Sequence, residues 1–147
     1  MEQATERIMV KASVERCFAV AIDFDTYPSW SKAFKKVDIV ERDDAGRPSL
    51  VHFWAEGLGR STSYALRYDY SEAPNRLTWK LEEGDIQRRL DGQYVFATVG
   101  DQTELTFHLS VELKVPMPGF VKRRAENRIL GAALQELKAR SELPTEA

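Results

Sequence analysis

The sequence predicts an α+β domain: a curved antiparallel sheet of about seven strands, in the order β-α-α-β6-α, wrapped around a long C-terminal helix. Three observations predict it. From Glu104 to Lys114 every odd position is apolar (Leu105, Phe107, Leu109, Val111, Leu113) and every even one is polar, which is the period of a strand with one wet face. Buried parallel strands read as continuous apolar runs instead, so this sheet is antiparallel. Weaker copies of the pattern precede it at hairpin spacing, and a single long helical stripe follows it.

The elements follow in order. The stretch Thr5 to Val10 suits a first strand. Ser13 reads as a helix N-cap, with Glu15 placed for the helix dipole, and Phe18, Ala21 and Ile22 form one apolar stripe running down to Asp23. A short second helix starts near Thr26, because Pro28 is tolerated in a first turn. Val37 to Glu41 and Leu50 to Ala55 are strands joined by the turn Asp43-Asp44-Ala45-Gly46-Arg47-Pro48. Less cleanly, Tyr64, Leu66, Tyr68 and Tyr70 alternate with Ala65, Arg67 and Asp69, Leu77, Trp79 and Leu81 with Thr78, Lys80 and Glu82, and Leu90, Gly92, Tyr94 and Phe96 with Asp91, Gln93 and Val95. Turn residues at Ala73-Pro74-Asn75, Glu83-Gly84-Asp85 and Gly100-Asp101 separate them. Pro116 and Pro118 end the last strand, and a helix opens at Gly119 or Phe120 and runs to about Glu142. Phe120, Asn127, Leu130, Leu134 and Leu137 share its apolar face, and the sheet's inner face is their natural cover. Leu109→Ala is expected to cost about 2–5 kcal/mol, as other large-to-small core changes do.

A chain of 147 residues fits one domain, here 1–147 with a core of about 5–142 and a frayed tail at 143–147. At this size roughly 70% of the unfolded surface is buried, so no disulfide or metal staple is needed. One cysteine, Cys17, excludes an internal disulfide, and with His52 and His108 it is too little for a four-ligand metal site. The 21 basic and 23 acidic residues are mixed along the chain and give a net charge of −2, which provides no field for nucleic acid. No apolar run approaches the ~20 residues of a membrane span, and the acidic N-terminus is no secretion signal. The expectation is a cytoplasmic protein that is not an integral membrane protein, with no cofactor.

Three segments carry a family likeness. Asp23-Phe24-Asp25-Thr26-Tyr27-Pro28-Ser29-Trp30 resembles the aspartate, tyrosine-proline, tryptophan segment that follows the first helix in START-like proteins. Leu90 to Phe96 and Thr103 to Phe107 resemble the paired last strands of that superfamily. Val115 to Glu126 is similar to the start of the final helix in its small actinobacterial members, labelled polyketide cyclase/dehydrase or coenzyme-Q-binding-like proteins of the SRPBCC superfamily. The resemblance spans roughly Thr5 to Glu142 and implies the helix-grip fold with an internal cavity. It implies function less sharply, since the superfamily holds lipid carriers, aromatase/cyclases, allergen-like binders and regulatory modules.

A curved sheet closed by one helix leaves an interior that side chains fill or a ligand occupies. The candidate lining is Tyr64, Tyr68, Trp79, Tyr94 and Phe107, and the alternative is that these aromatics simply fill the core. Tyrosines are the sharper candidates, because a buried hydroxyl wants a partner. Tyr70, near a strand end, would reach water. Alternation places Arg88 inward beside Leu90 and Tyr94, where it would hold an acidic or carbonyl group; otherwise it is a rim arginine paired with a glutamate. Arg124 and Asn127 lie one turn apart on the last helix, and Asn127 either faces the interior or caps a sheet carbonyl. Gly131 implies close approach of the helix to the sheet or a ligand. Trp30 either closes one end of the cavity or anchors the short helix. Trp54 alternates outward from Phe53, and its exposure would mark a dimer or protein contact.

Nucleophilic chemistry finds no constellation. Cys17 packs inside the first helix, while His52 and His108 fall on outer faces. The acids Glu82, Asp91, Glu104 and Glu112 alternate outward, and Gly57-Leu58-Gly59 is an ordinary turn rather than a phosphate loop. The leading expectation is binding or transport of a hydrophobic small molecule such as a lipid, isoprenoid quinone or polyketide. An aromatase/cyclase acting through tyrosine, arginine and water is the second reading. A regulatory module acting through its surface is the third.

Overall fold

The computed structural model describes residues 2–57, 60–114 and 119–143, with side chains given except at 2, 57, 60 and 119–129. Strand β1 (Glu2–Val10) leads into α1 (Val14–Ala21), a 3-10 turn (Phe24–Thr26) and the short α2 (Tyr27–Trp30). Six strands follow: β2 (Phe34–Arg42), β3 (Pro48–Gly57), β4 (Arg60–Asp69), β5 (Arg76–Gly84), β6 (Gln87–Val99) and β7 (Gln102–Leu113). Helix α3 (Gly119–Ser141) completes the chain. The seven strands form one sheet in the order β1-β7-β6-β5-β4-β3-β2, with every neighbouring pair antiparallel. This is the helix-grip architecture, and the predicted element order holds throughout.

Local chemistry explains the boundaries. Ser13 caps α1 through its side chain, which accepts from the Arg16 amide at 3.1 Å. In the β2–β3 turn the Asp43 carboxylate accepts from the Ala45 and Arg47 amides, and Gly46 supplies the left-handed residue at φ +83°. The register breaks twice in the middle of the sheet. Between β4 and β5, Ala65 faces Glu83 while Leu66 faces Leu81, so Glu82 is extra; between β6 and β7, Gln87 faces Leu113 and Arg89 faces Glu112, so Arg88 is extra.

The C-terminal part of α3 is pinned at one end of the sheet. Leu130, Leu134 and Leu137 are 0–2% exposed and pack with Val10, Cys17, Ala21, Phe96 and Leu105 in the core. The Arg16 guanidinium donates to the carbonyls of Arg140 and Ser141, closing the helix terminus. Glu142 accepts from the Lys11 amide, and Glu136 accepts from Ser31 Oγ and the Lys32 amide. Burial pushes the Cys17 thiol up, as befits a small apolar filler. Gly131 corrects an expectation. A Cβ built there meets no described atom within 4 Å, so its place in the helix is not set by close approach to the sheet.

Candidate functional site

The interior is sealed at one end and loosens toward the other. Along the inner face of β7 the exposed fraction rises from Leu105 at 0% through Phe107 at 5%, Leu109 at 6% and Val111 at 9% to the half-buried Leu113. On β5, Leu77 and Trp79 are buried and Leu81 is half-buried; on β6, Phe96 is buried while Tyr94 and Leu90 are half-buried. Tyr64 and Tyr68 on β4 are half-buried as well. Free inner surface therefore collects in the middle of the sheet, on the side away from the pinned helix terminus.

The five tyrosines divide sharply across this gradient. Tyr27 donates its hydroxyl to the Ala21 carbonyl, and Tyr70 donates to the Pro48 carbonyl at 2.6 Å. Both are structural; Tyr70 is buried and bonded to backbone rather than reaching water. Tyr64, Tyr68 and Tyr94 have no hydrogen-bond partner among the described residues, and none of their oxygens is fully enclosed by protein. Burial nonetheless pushes all three phenols well above their ordinary range, and the neighbouring tyrosines reinforce the shift at Tyr64 and Tyr68. A neutral phenol that is desolvated, unpartnered and still accessible is the signature of a wall facing an internal space.

The rest of the lining is aromatic and closely stacked. Trp79 meets Tyr68, Tyr94 and Phe107 with ring centroids 5.8, 5.1 and 5.8 Å apart, and Tyr94 lies 4.8 Å from Phe107. Gly92 makes this floor possible. A Cβ there would stand 2.6 Å from the Trp79 ring and 2.6 Å from the His108 carbonyl oxygen, so only glycine lets the indole lie across β6. Trp79 and Phe107 are themselves buried, so they form the floor while the tyrosines supply the polar points.

Arg88 does not join this wall. It is the extra residue of the β6 bulge, its side chain is 63% exposed, and it pairs with Glu112 at 3.8 Å. The bulge breaks the alternation that placed it inward and turns Gln87 inward instead, with 5% exposure. Gln87 is the buried inner-face residue that sequence reasoning missed. Its one signal was the Arg88-Arg89 pair, because two adjacent arginines cannot alternate across a sheet with one buried face. Trp30 donates from Nε1 to Thr26 Oγ1 at 2.9 Å and stacks on Tyr27 at 5.0 Å, which anchors α2. Arg124 and Asn127 belong to α3, which opens at Gly119 as expected, but their side chains lie outside the described residues, as do Pro116 and Pro118, expected to end the last strand, and the tail 144–147.

The outer surface offers less. Trp54 is half-buried beneath the His52 ring, stacked at 4.0 Å, and the Lys36 ammonium lies 4.8 Å from an indole ring centroid. The large exposed apolar residues, Met9, Val40, Val99 and Leu143, sit on different elements. Two hollows of about 350 and 680 Å³ lie largely behind the floor, lined in good part by outward residues such as Lys80 and Asp91 or Arg67 and Glu82. Such charged, open hollows are poor sites for an apolar molecule. Among the described residues no group of His, Cys, Asp and Glu side chains could hold a metal ion, and no helix is long and apolar enough to cross a membrane.

A seven-stranded sheet gripping a C-terminal helix over an aromatic interior defines a START-like domain. The chain belongs to the family described as polyketide cyclase / dehydrase and lipid transport, whose profile matches residues 1–142. Among solved structures, a START superfamily protein from Mycobacterium smegmatis is 27% identical with a TM-score of 0.89, covering 95% of this chain and 97% of that one. The Zhui aromatase/cyclase from Streptomyces sp. R1128 is 15% identical with a TM-score of 0.83, over 96% of this chain and 93% of that one. Ginseng major latex-like protein 151 from Panax ginseng is 12% identical with a TM-score of 0.74, covering 97% and 98%. The last two likenesses are of fold. No curated protein matches the sequence.

Proposed function

We propose that this protein binds an apolar small molecule, of lipid, isoprenoid quinone or polyketide type, inside the grip. The observation that carries the reading is the trio Tyr64, Tyr68 and Tyr94, three desolvated phenols without hydrogen-bond partners among the described residues, on a largely apolar wall. An apolar interior with a few polar points takes up such a ligand and orients it. Family membership supports the reading, since its description joins ligand chemistry with lipid transport.

Binding is favoured over catalysis by the character of the wall. General acid–base work needs a group tuned toward the working pH. The phenols are shifted away from it, and the acids and histidines of the sheet stand on its outer face or at its edges. An aromatase/cyclase-like activity is the second reading, supported by the family description; neutral phenols would then orient and polarise carbonyls of a folded polyketide. A regulatory module is the third reading: Trp54 is half-buried, with His52 stacked on it and the Lys36 ammonium over it, so its indole offers only part of its surface to a partner.

Native mass spectrometry of the purified protein, compared with its denatured mass, tests binding. A co-purifying apolar adduct, or uptake of one from a panel of quinones, fatty acids and aromatic polyketides, is the expected result. A protein that stays empty throughout that panel contradicts the proposal.

A further inference from the structure

The hairpin of β5 and β6 is unzipped along part of its length. Its ladder runs from Arg76–Val95 to Trp79–Gly92 and stops there, although β5 continues to Gly84 and β6 begins at Gln87. The tips close again, since a Cβ on Gly84 would stand 2.7 Å from Gln87 Oε1. Between them residues 80–83 face residues 88–91 over a stretch roughly 13 Å long at the rise of a strand.

Each leg is bonded outward instead. On β5, Lys80, Leu81 and Glu83 pair with Arg67, Leu66 and Ala65 of β4, and the Glu82 carboxylate meets the Arg67 guanidinium at 2.7 Å. On β6, Arg89, Leu90 and Asp91 pair with Glu112, Val111 and Ser110 of β7, and Arg88 meets Glu112 at 3.8 Å. The turn divides the same way: the Asp85 amide donates to the Ser63 carbonyl of β4, and the Lys114 amide beyond β7 donates to the Ile86 carbonyl. One extra residue on each leg, Glu82 and Arg88, bends the legs out of step. Across the stretch the Leu81 amide donates to the Asp91 carboxylate at 2.9 Å, a side-chain bond where a ladder would have backbone ones.

This seam joins two spaces. Its inner lips are the half-buried Leu81 and Leu90, at the loose end of the interior. On the outer face the hollow of about 350 Å³ lies over it, with Trp79, Lys80, Asp91 and Gly92 in its lining. We infer that the seam is the passage by which an apolar molecule enters and leaves the interior, with the Asp91–Leu81 bond as its latch. The inference rests on the binding proposal. A complete ladder would have to break several backbone bonds together to let a molecule by, whereas a single side chain can swing aside.

Stopped-flow fluorescence of 2-naphthol with the full chain tests the passage. Asp91→Ala is expected to raise the association and dissociation rates alike by about tenfold, the scale of one hydrogen bond to a charged group, with Kd held within about twofold. Asp91→Asn keeps an acceptor for the Leu81 amide and should fall between wild type and the alanine variant. A second variant closes the seam: Glu82→Cys with Arg89→Cys, both exposed and in register if the Trp79–Gly92 ladder is extended, in a chain whose own Cys17 is fully buried. Its oxidised form should slow both rates about tenfold or more, and reduction should restore them. Where the disulfide does not close, the two Asp91 variants decide; where Asp91→Ala does not fold, the disulfide does. Unchanged rates in Asp91→Ala or in the oxidised protein overturn the inference and leave the binding proposal standing. A rise in the dissociation rate alone, with weaker binding, makes Asp91 merely structural and overturns it too. Failure of 2-naphthol to bind wild type overturns both.

Discussion

The two ends of the grip are built from similar residues and do different work. At the pinned end, Val10, Cys17, Ala21, Leu105 and Leu130 are all fully buried, and every tyrosine hydroxyl near it ends on a backbone carbonyl. At the other, leucines and tyrosines of the same strands keep part of their surface, and three phenols have no partner among the described residues. The difference teaches that burial along one strand is graded by what covers it. The terminal turns of α3, tied to Lys11, Arg16, Ser31 and Lys32, hold one end shut.

Substitutions that treat the ends as equivalent should expose the contrast. Leu105→Ala, at the sealed end, is expected to cost about 2–5 kcal/mol in urea denaturation, through lost transfer energy and a trapped void. Leu113→Ala, at the loose end, should cost about half of that or less, since a half-buried side chain leaves no sealed void. Equal losses would erase the gradient. Gly92→Ala comes next, at about 1–3 kcal/mol, because its Cβ meets a rigid ring and a backbone oxygen that cannot both yield. Tryptophan emission should shift with it as Trp79 is displaced.

Tyrosine pairs sharpen the comparison further. Tyr70→Phe leaves the Pro48 carbonyl without its donor and should cost about 1 kcal/mol or somewhat more. Tyr64→Phe removes a hydroxyl that has no partner among the described residues, so the melting temperature should hold. The smallest effect runs the other way: Gly131→Ala should stabilise by up to about 1 kcal/mol in the same denaturation series.

The sheet was legible where its alternation was unbroken. The odd positions of β7, and Trp79, Tyr94 and Phe107 as inner residues, could be read directly, because period two with one wet face has a single solution. The family likeness in Asp23 to Trp30 and in the last strands likewise led to the right fold. The inward placement of Arg88 failed, since one inserted residue reverses the faces on one side of it and leaves hydrophobicity unchanged, and the alternative of a rim arginine paired with a glutamate is what the structure shows. The same bulge hid Gln87. Tyr70 was misread because its partner is a carbonyl 22 residues away, which no local pattern reports. Close approach of Gly131 to the sheet was misread because a glycine costs helix stability whether or not anything lies against it.

The most direct test of an interior open at the Tyr64 side uses the tyrosines themselves as reporters. Protein labelled with ring-13C tyrosine carries five signals, and these can be followed by NMR while 2-naphthol is added. The account predicts that Tyr64, Tyr68 and Tyr94 shift with a common saturation curve while Tyr27 and Tyr70 stay in place. Saturable binding that moves none of the first three, or that moves Tyr27 and Tyr70 as strongly, would contradict it.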